Sequence, residues 1–265
     1  ETIATSISAI RFVLSTTDQD DSLRDAMKPY IRKLVREEYE RLGWDEHKND
    51  THFDRLLRPL ILGLLTGADD DESVAEALKR YKAHVNGSEP ARPDIRGLLY
   101  STAARKGDTK TFERFLKIYK ETTSGDEKLA LCVGLTNFEQ PSIHEHVLDL
   151  IIDGTVKLQD VSYFIAYSFS NRYSKTYTWQ WLQNNWIWLK KQLGQDLSFS
   201  RMPVYAARTF ASQRQLEEYK AFFSSIMEPM LDRSYKQGIE MIDTFVAWRE
   251  RDAAAALKWF KSQQS

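Results

Sequence analysis

Residues 171–194 read NRYSKTYTWQWLQNNWIWLKKQLG and hold four of the chain's seven tryptophans, Trp179, Trp181, Trp186 and Trp188. At about 100° per residue, Trp179, Leu182, Trp186, Leu189 and Leu193 fall on one stripe. Trp181 and Trp188 fall on a second face, and Ile187 on a third side. A helix apolar on several faces is wedged between neighbours rather than laid on a surface. The rest of the chain is expected to supply the helices that sandwich it.

Outward from this stretch the periodicity stays helical. Strand signals are nearly absent, with no Asn-Gly or Asp-Gly hairpin between alternating runs. Asn86-Gly87 and Asp153-Gly154 follow helical periodicity and read as helix ends. Residues 1–50 read as a lead-in. One helix is expected over 3–15 and another over 22–42, opened by a Ser22/Asp25 capping box and closed by Gly43. Residues 51–265 read as stacked helix pairs. These cover 53–65 (with a kink at Pro59) and 69–85, then 94–105 and 109–119, then 127–135 and 143–152. Residues 161–169 lead into the tryptophan helix, and 203–210, 213–227, 235–248 and 253–260 follow. Gly87, Gly125, Gly154 and Gly194 mark the exits of the second helices, at uneven spacing. Such spacing suits HEAT or armadillo hairpins better than the tetratricopeptide period of about 34 residues. A hairpin cannot bury its own apolar face, so stacking makes the core. The expected fold is all-α, a single domain over 1–265: an irregular HEAT/armadillo-like superhelix of helical hairpins forming a concave bowl.

Composition excludes several classes. The chain has 265 residues, 42% hydrophobic and 28% charged, with a net charge of −1. That balance carries no electrostatic footprint for nucleic acid. No apolar run approaches the ~18 residues of a membrane span, so no membrane partner is expected. The one cysteine, Cys132, excludes an internal disulfide and suits a reducing compartment, so cytoplasmic placement is expected. The opening ETIATSISAIRFVL lacks an initiating Met and reads as the inside of a helix. The chain is therefore expected to be a piece of a longer polypeptide.

Candidate chemistry is sparse. His144-Glu145-His146 falls short of the H-E-x-x-H that sets two imidazoles on one helical face, since Leu148 stands four after His144. His144 and His146 lie about 200° apart and cannot share a metal; they read as solvated or capping residues. His47 and His52 lie in or beside a loop with no Cys partner, and His84 sits near a helix end, where a cation is favourable. Asp69, Asp70, Asp71 and Glu72 lack the ligand pattern of an EF-hand and read as a helix start, and Asp18, Asp20 and Asp21 fail likewise. Cys132 sits among Leu129, Leu131 and Val133 and reads as a core thiol. No Gly-rich phosphate loop and no GxSxG elbow is present. The tryptophans could form an aromatic cage, but their stripe favours packing. One loop stands out. Asn171, Arg172, Tyr173 and Lys175 place two cations and two hydrogen-bonding groups between helices, a candidate contact for an anion or a carboxylate. The competing reading is an ordinary solvated loop. No catalytic residue and no metal ligand is expected.

Four stretches carry a family likeness. They are Leu42-Gly43-Trp44-Asp45 with Leu56, Leu57, Arg58, Leu60 and Leu62; Trp179-Gln180-Trp181-Leu182 with Asn185-Trp186; residues 216–223, LEEYKAFF; and Trp248 with Arg251-Asp252. In that order they resemble the C-terminal helical domain of the gluzincin zinc aminopeptidases, particularly the puromycin-sensitive and endoplasmic-reticulum types. The resemblance implies that the zinc site and the G-A-M-E-N motif sit in a preceding catalytic domain. Both motifs are absent here, so this chain is expected to hold no zinc and cleave nothing. By the same resemblance the whole enzyme removes single N-terminal residues from peptides, with a zinc-bound water attacking the scissile carbonyl. The helical domain packs on the catalytic domain, encloses the active-site cavity, excludes folded proteins and contacts the peptide, and domain motion gates access. Its implied partners are the catalytic domain of the same polypeptide and peptide substrates. The alternative is an independent helical-repeat scaffold that binds a protein partner.

Overall fold

A computed structural model of the chain describes residues 21–208 and 210–263. The helix expected over 3–15, with Asp18 and Asp20, lies outside them. Thirteen α-helices and one 3-10 turn are formed, with no strand among the described residues. This is the all-α class that the periodicity requires. Two compact units appear, one mainly Asp25–Ile143 and the other mainly His144–Trp259.

The first unit contains α1 (Asp21–Leu42), α2 (His52–Gly67), α3 (Asp71–Val85), α4 (Pro93–Arg105), α5 (Thr109–Glu121) and α6 (Gly125–Leu135). Short polar side chains cap the starts. Thr51 and Asp54 form a capping box on α2, and Asp70, Asp108 and Ser124 each accept an orphan N–H of α3, α5 and α6. Asp69–Glu72 is thus a helix start, as its sequence implies. Gly43 follows α1 at φ +56°, a left-handed turn that strains any residue with a Cβ. Helix α4 packs against both α3 and α6. Its Tyr100 meets Phe115 of α5 edge-on at 5.0 Å and Tyr81 of α3 at 5.9 Å. Cys132 is buried in this unit, a core thiol. Two expectations need correction. Ser22 lies inside α1 and is not its cap. Gly125 opens α6 rather than closing a helix, because Ser124 supplies the cap just before it.

The second unit is entered by α7 (Pro141–Ile152). It continues through α8 (Leu158–Ser170), α9 (Lys175–Asn184), α10 (Trp186–Leu193), the 3-10 turn Phe199–Arg201, α11 (Met202–Ala207), α12 (Gln213–Ser225) and α13 (Asp232–Ser262). The stripe Trp179, Leu182, Trp186, Leu189 and Leu193 is buried, no residue in it more than 6% exposed. Trp179 meets Phe210 at 5.2 Å and Phe222 at 5.3 Å. Trp186 meets Phe199 at 4.9 Å and both Phe222 and Phe223 at 5.7 Å. Near-perpendicular rings dominate this cluster, the arrangement that the ring quadrupole favours. Gly238 of α13 marks the tightest approach. A Cβ there would lie 2.0 Å from Tyr219 Oη and 3.1 Å from Ala207 Cβ, so α13 passes α11 and α12 with no room for a side chain.

Here too the sequence reading is amended. The tryptophan stretch is two helices that meet at Asn185, whose backbone N–H and Nδ2 both donate to the Trp181 carbonyl at 2.9 Å. The stripe survives, since Asn185 keeps near-helical angles (φ −106°, ψ 12°). It is buried along one stripe rather than all round: Trp181 and Trp188 are half-buried, and Ile187 is 84% exposed. The helix expected to reach Phe210 stops at Ala207. The break expected between Trp248 and Ala253 is absent, for no Gly or Pro interrupts α13 there. Replacing Trp186 with Ala is expected to cost about 3–5 kcal/mol by loss of packing. The neighbouring Ile187→Ala should stay within about 0.5 kcal/mol. Urea unfolding followed by tryptophan fluorescence compares the two.

Candidate functional site

The loop of Asn171, Arg172, Tyr173 and Lys175 joins α8 to α9. Its four side chains divide into two groups. Asn171 is 6% exposed and Lys175 4%. Asn171 builds the turn: its Oδ1 accepts from the Tyr173 N–H at 3.0 Å, and its carbonyl accepts from the Ser174 and Lys175 N–H groups at 3.1 Å each. These two residues sit inside, unlike those of a solvated loop. Arg172 and Tyr173 remain at the surface, with the guanidinium 5.2 Å from the Tyr173 ring centroid.

A second cluster lies at the Leu42-Gly43-Trp44-Asp45 corner. Arg58, a lone cation in the apolar run of α2, is fully buried. Its Nη2 donates to Asp50 at 2.5 Å and its Nε to the Leu42 carbonyl at 3.2 Å. The second contact satisfies an orphan carbonyl at the end of α1. The His47 N–H, with Arg58 behind it, holds the Asp50 carboxyl below the usual carboxylate range. Nearby, Arg80 lies 5.3 Å over the Trp44 ring and grips both Asp45 oxygens at 2.7 and 2.8 Å. Arg58 with Asp50 and Arg80 with Asp45 pair across this corner and fasten the connection between α1 and α2.

Glu127, in the first turn of α6, gathers a third cluster. It accepts from Arg96 at 2.9 Å, from the Tyr100 hydroxyl and from His84 Nε2 at 3.1 Å. The Ala91 N–H donates to His84 Nδ1, which fixes the proton on Nε2. His84 thus bridges the Ala91 N–H and the Glu127 carboxyl. Burial pushes the Glu127 carboxyl up, but the hydrogen bonds from His84 and Tyr100 more than offset it and hold it below the usual range. Burial pushes the Tyr100 phenol up.

The remaining histidines do not converge. His144 is 2% exposed rather than solvated, and His146, two residues on, faces out. His47 is exposed. Among the described residues, no three His, Cys, Asp or Glu side chains meet at a point that could hold a metal. One opening gathers exposed cations. A cavity of about 330 Å³ is lined by Arg201, Arg208, Arg233, Tyr205, Gln237 and Ser234 among others. Sequence reasoning missed it, because its arginines come from three separate elements and share no spacing. Glu127 was missed as well, and Arg58 was singled out only for its family likeness. For Arg58 a signal existed, a single cation inside LLRPLILGLL.

Comparison with known proteins gives consistent matches. A family model described as the ERAP1-like C-terminal domain matches residues 1–244. "Aminopeptidase 2, mitochondrial" of Saccharomyces cerevisiae is 28% identical over 240 residues, covering 90% of this chain and 25% of that protein. "Glutamyl aminopeptidase" of Sus scrofa is 28% identical over 258 residues, covering 96% and 27%. "Aminopeptidase N" of Lactococcus lactis is 27% identical over 241 residues, covering 90% and 28%. The chain thus spans about a quarter of the length of the curated relatives it matches.

The Glu127 cluster sets a pH dependence. Its folded carboxyl titrates below its unfolded value, so its stabilisation is complete above about pH 4.3 and fades as pH falls through the folded value. Glu127→Gln should cost roughly 1–3 kcal/mol at pH 7 by breaking the charge-assisted bonds. It should also flatten the fall in thermal midpoint between about pH 5 and pH 3. Calorimetry across that range checks both.

Proposed function

The chain belongs to the ERAP1-like C-terminal domain family, and on that premise we propose that it is the non-catalytic domain of a zinc aminopeptidase that removes N-terminal residues from peptides. The observation that carries this reading is the coverage. Aminopeptidases from a yeast, a mammal and a bacterium match nearly the whole chain with about a quarter of their own. Bond-breaking chemistry belongs, in this reading, to the rest of the longer protein, and so does zinc. The domain encloses the active-site cavity, restricts entry to peptides and helps to bind them. Its partners are the catalytic domain of the same polypeptide and the peptide itself.

Two surface features support the proposal. On α2, Phe53, Leu56 and Leu60 recur at helical spacing and are exposed, the first of them 79%. An apolar row of this kind suits an interface with another part of the polypeptide. At the α8–α9 loop, Arg172 and Tyr173 offer a cation and a hydroxyl at the surface for a peptide carboxylate. No helix among the described residues is long and apolar enough to cross a membrane. The lone buried thiol of Cys132 suits a reducing compartment such as the cytoplasm.

Hydrolysis of an aminoacyl fluorogenic amide, with zinc supplied, separates the roles. The longer protein is expected to be active and this chain inactive. An active chain would contradict the division, and silence from both would favour a scaffold without a peptidase. In the longer protein, Arg172→Ala should weaken turnover of long peptides more than that of the single-residue amide. Equal losses on both substrates would remove Arg172 from the peptide contact.

A further inference from the structure

We propose that the opening between α11 and the start of α13 binds an acidic peptide segment that presents two carboxylates close together. It rests on the reading above that this domain contacts peptide, and it names the class of peptide. The opening is built from three pieces of chain. The 3-10 turn brings Ser200 and Arg201, α11 and its end bring Val204, Tyr205 and Arg208, and α13 brings Arg233, Ser234 and Gln237 on successive turns of one face. The walls are fixed. Ser234 donates its hydroxyl to the Ser200 carbonyl and ties α13 to the 3-10 turn. The close passage at Gly238 holds α13 against α11 one turn further on.

The charge pattern points to the ligand. Arg201, Arg208 and Arg233 have no carboxylate partner among the described residues, whereas the acids around them are engaged elsewhere. Asp232 pairs with Lys236 at 2.8 Å, and Glu228 pairs with Lys190. Arg208 rests 5.7 Å from the Tyr205 ring centroid, which leaves its hydrogen-bonding edge free to face a ligand. Three cations around one mouth repel one another, and an entering anion relieves that repulsion. One carboxylate would leave charge over, while two match the set more closely. Guanidinium forks bind carboxylates in bidentate fashion, and Gln237 and Tyr205 can meet peptide amides. Val204 and Met230 give an apolar wall for side-chain methylenes. The volume of about 330 Å³ lies at the lower end of ordinary ligand pockets, enough for two short acidic side chains.

Titration calorimetry on this chain tests the site, with a peptide capped at both ends that carries two adjacent glutamates. Binding is expected, and the glutamine twin of the peptide should bind at least about tenfold more weakly. Arg201→Gln and Arg233→Gln should each weaken the glutamate peptide about tenfold, since each removes a charge-assisted contact. Both side chains are exposed, so the variants should keep the wild-type helical circular dichroism. Arg214→Gln breaks only the surface pair with Glu218 and should change nothing. Equal binding of the two peptides, indifference to Arg201 and Arg233, or saturable binding of inorganic phosphate without binding of the glutamate peptide would each overturn the site. No hydrolysis enters the titration. A failed titration therefore leaves the aminopeptidase reading standing, and a failed amide assay leaves the binding site standing.

Discussion

The contact of Trp179 and Trp186 with Phe222 and Phe223 is the constraint on which the His144–Trp259 unit depends. Helices of 6 to 13 residues have little stability of their own. They persist because large rings join them. Each indole removes roughly 150–250 Å² of surface from water. At about 25 cal/mol per Å² this is several kcal/mol for each ring. The seam joins α9 and α10 to α12, and Tyr219, one turn before Phe223, carries the packing on to Tyr235 of α13. Gly238 then lets α13 close on α11. The arginine-lined opening stands at the end of this chain of contacts, on elements that the seam positions.

Charge follows two rules in the molecule. Cations that are buried or half-buried are answered: Arg58 by Asp50 and a carbonyl, Arg96 by Glu127, Arg36 by Asp70 at 2.6 Å. Removing a partner from such a pair leaves a charge in a medium that cannot solvate it. These pairs fasten helix ends and connections. The arginines of the α11–α13 opening are exposed, and their local acids are tied to lysines. A stabilising network places opposite charges together; a receptor for anions leaves like charges side by side.

The fold class was legible because an amphipathic helix repeats every 3.6 residues, and that period runs through most of the chain. The buried stripe from Trp179 to Leu193 was read correctly for this reason. The break at Asn185 was not, since the apolar stripe runs through it without a change of spacing. The continuity of α13 was missed because polar, charged turns resemble connections when read without their surroundings. Several of the residues that carried the family likeness prove to be packing residues. Trp44 and Arg58 hold a corner, and Trp179, Trp186, Phe222 and Phe223 form the seam. The candidate loop was legible as a polar turn, but burial of Asn171 and Lys175 depends on tertiary neighbours. The arginine opening joins positions 201, 208 and 233, which only folding brings together.

Native-state hydrogen exchange of the chain tests the seam most directly. If the tryptophan–phenylalanine contact organises the His144–Trp259 unit, the slowest amides of that unit lie in α9, α10 and α12, and Trp186→Ala speeds exchange across all three together. Fast exchange in those helices, or a change confined to α10, would contradict it.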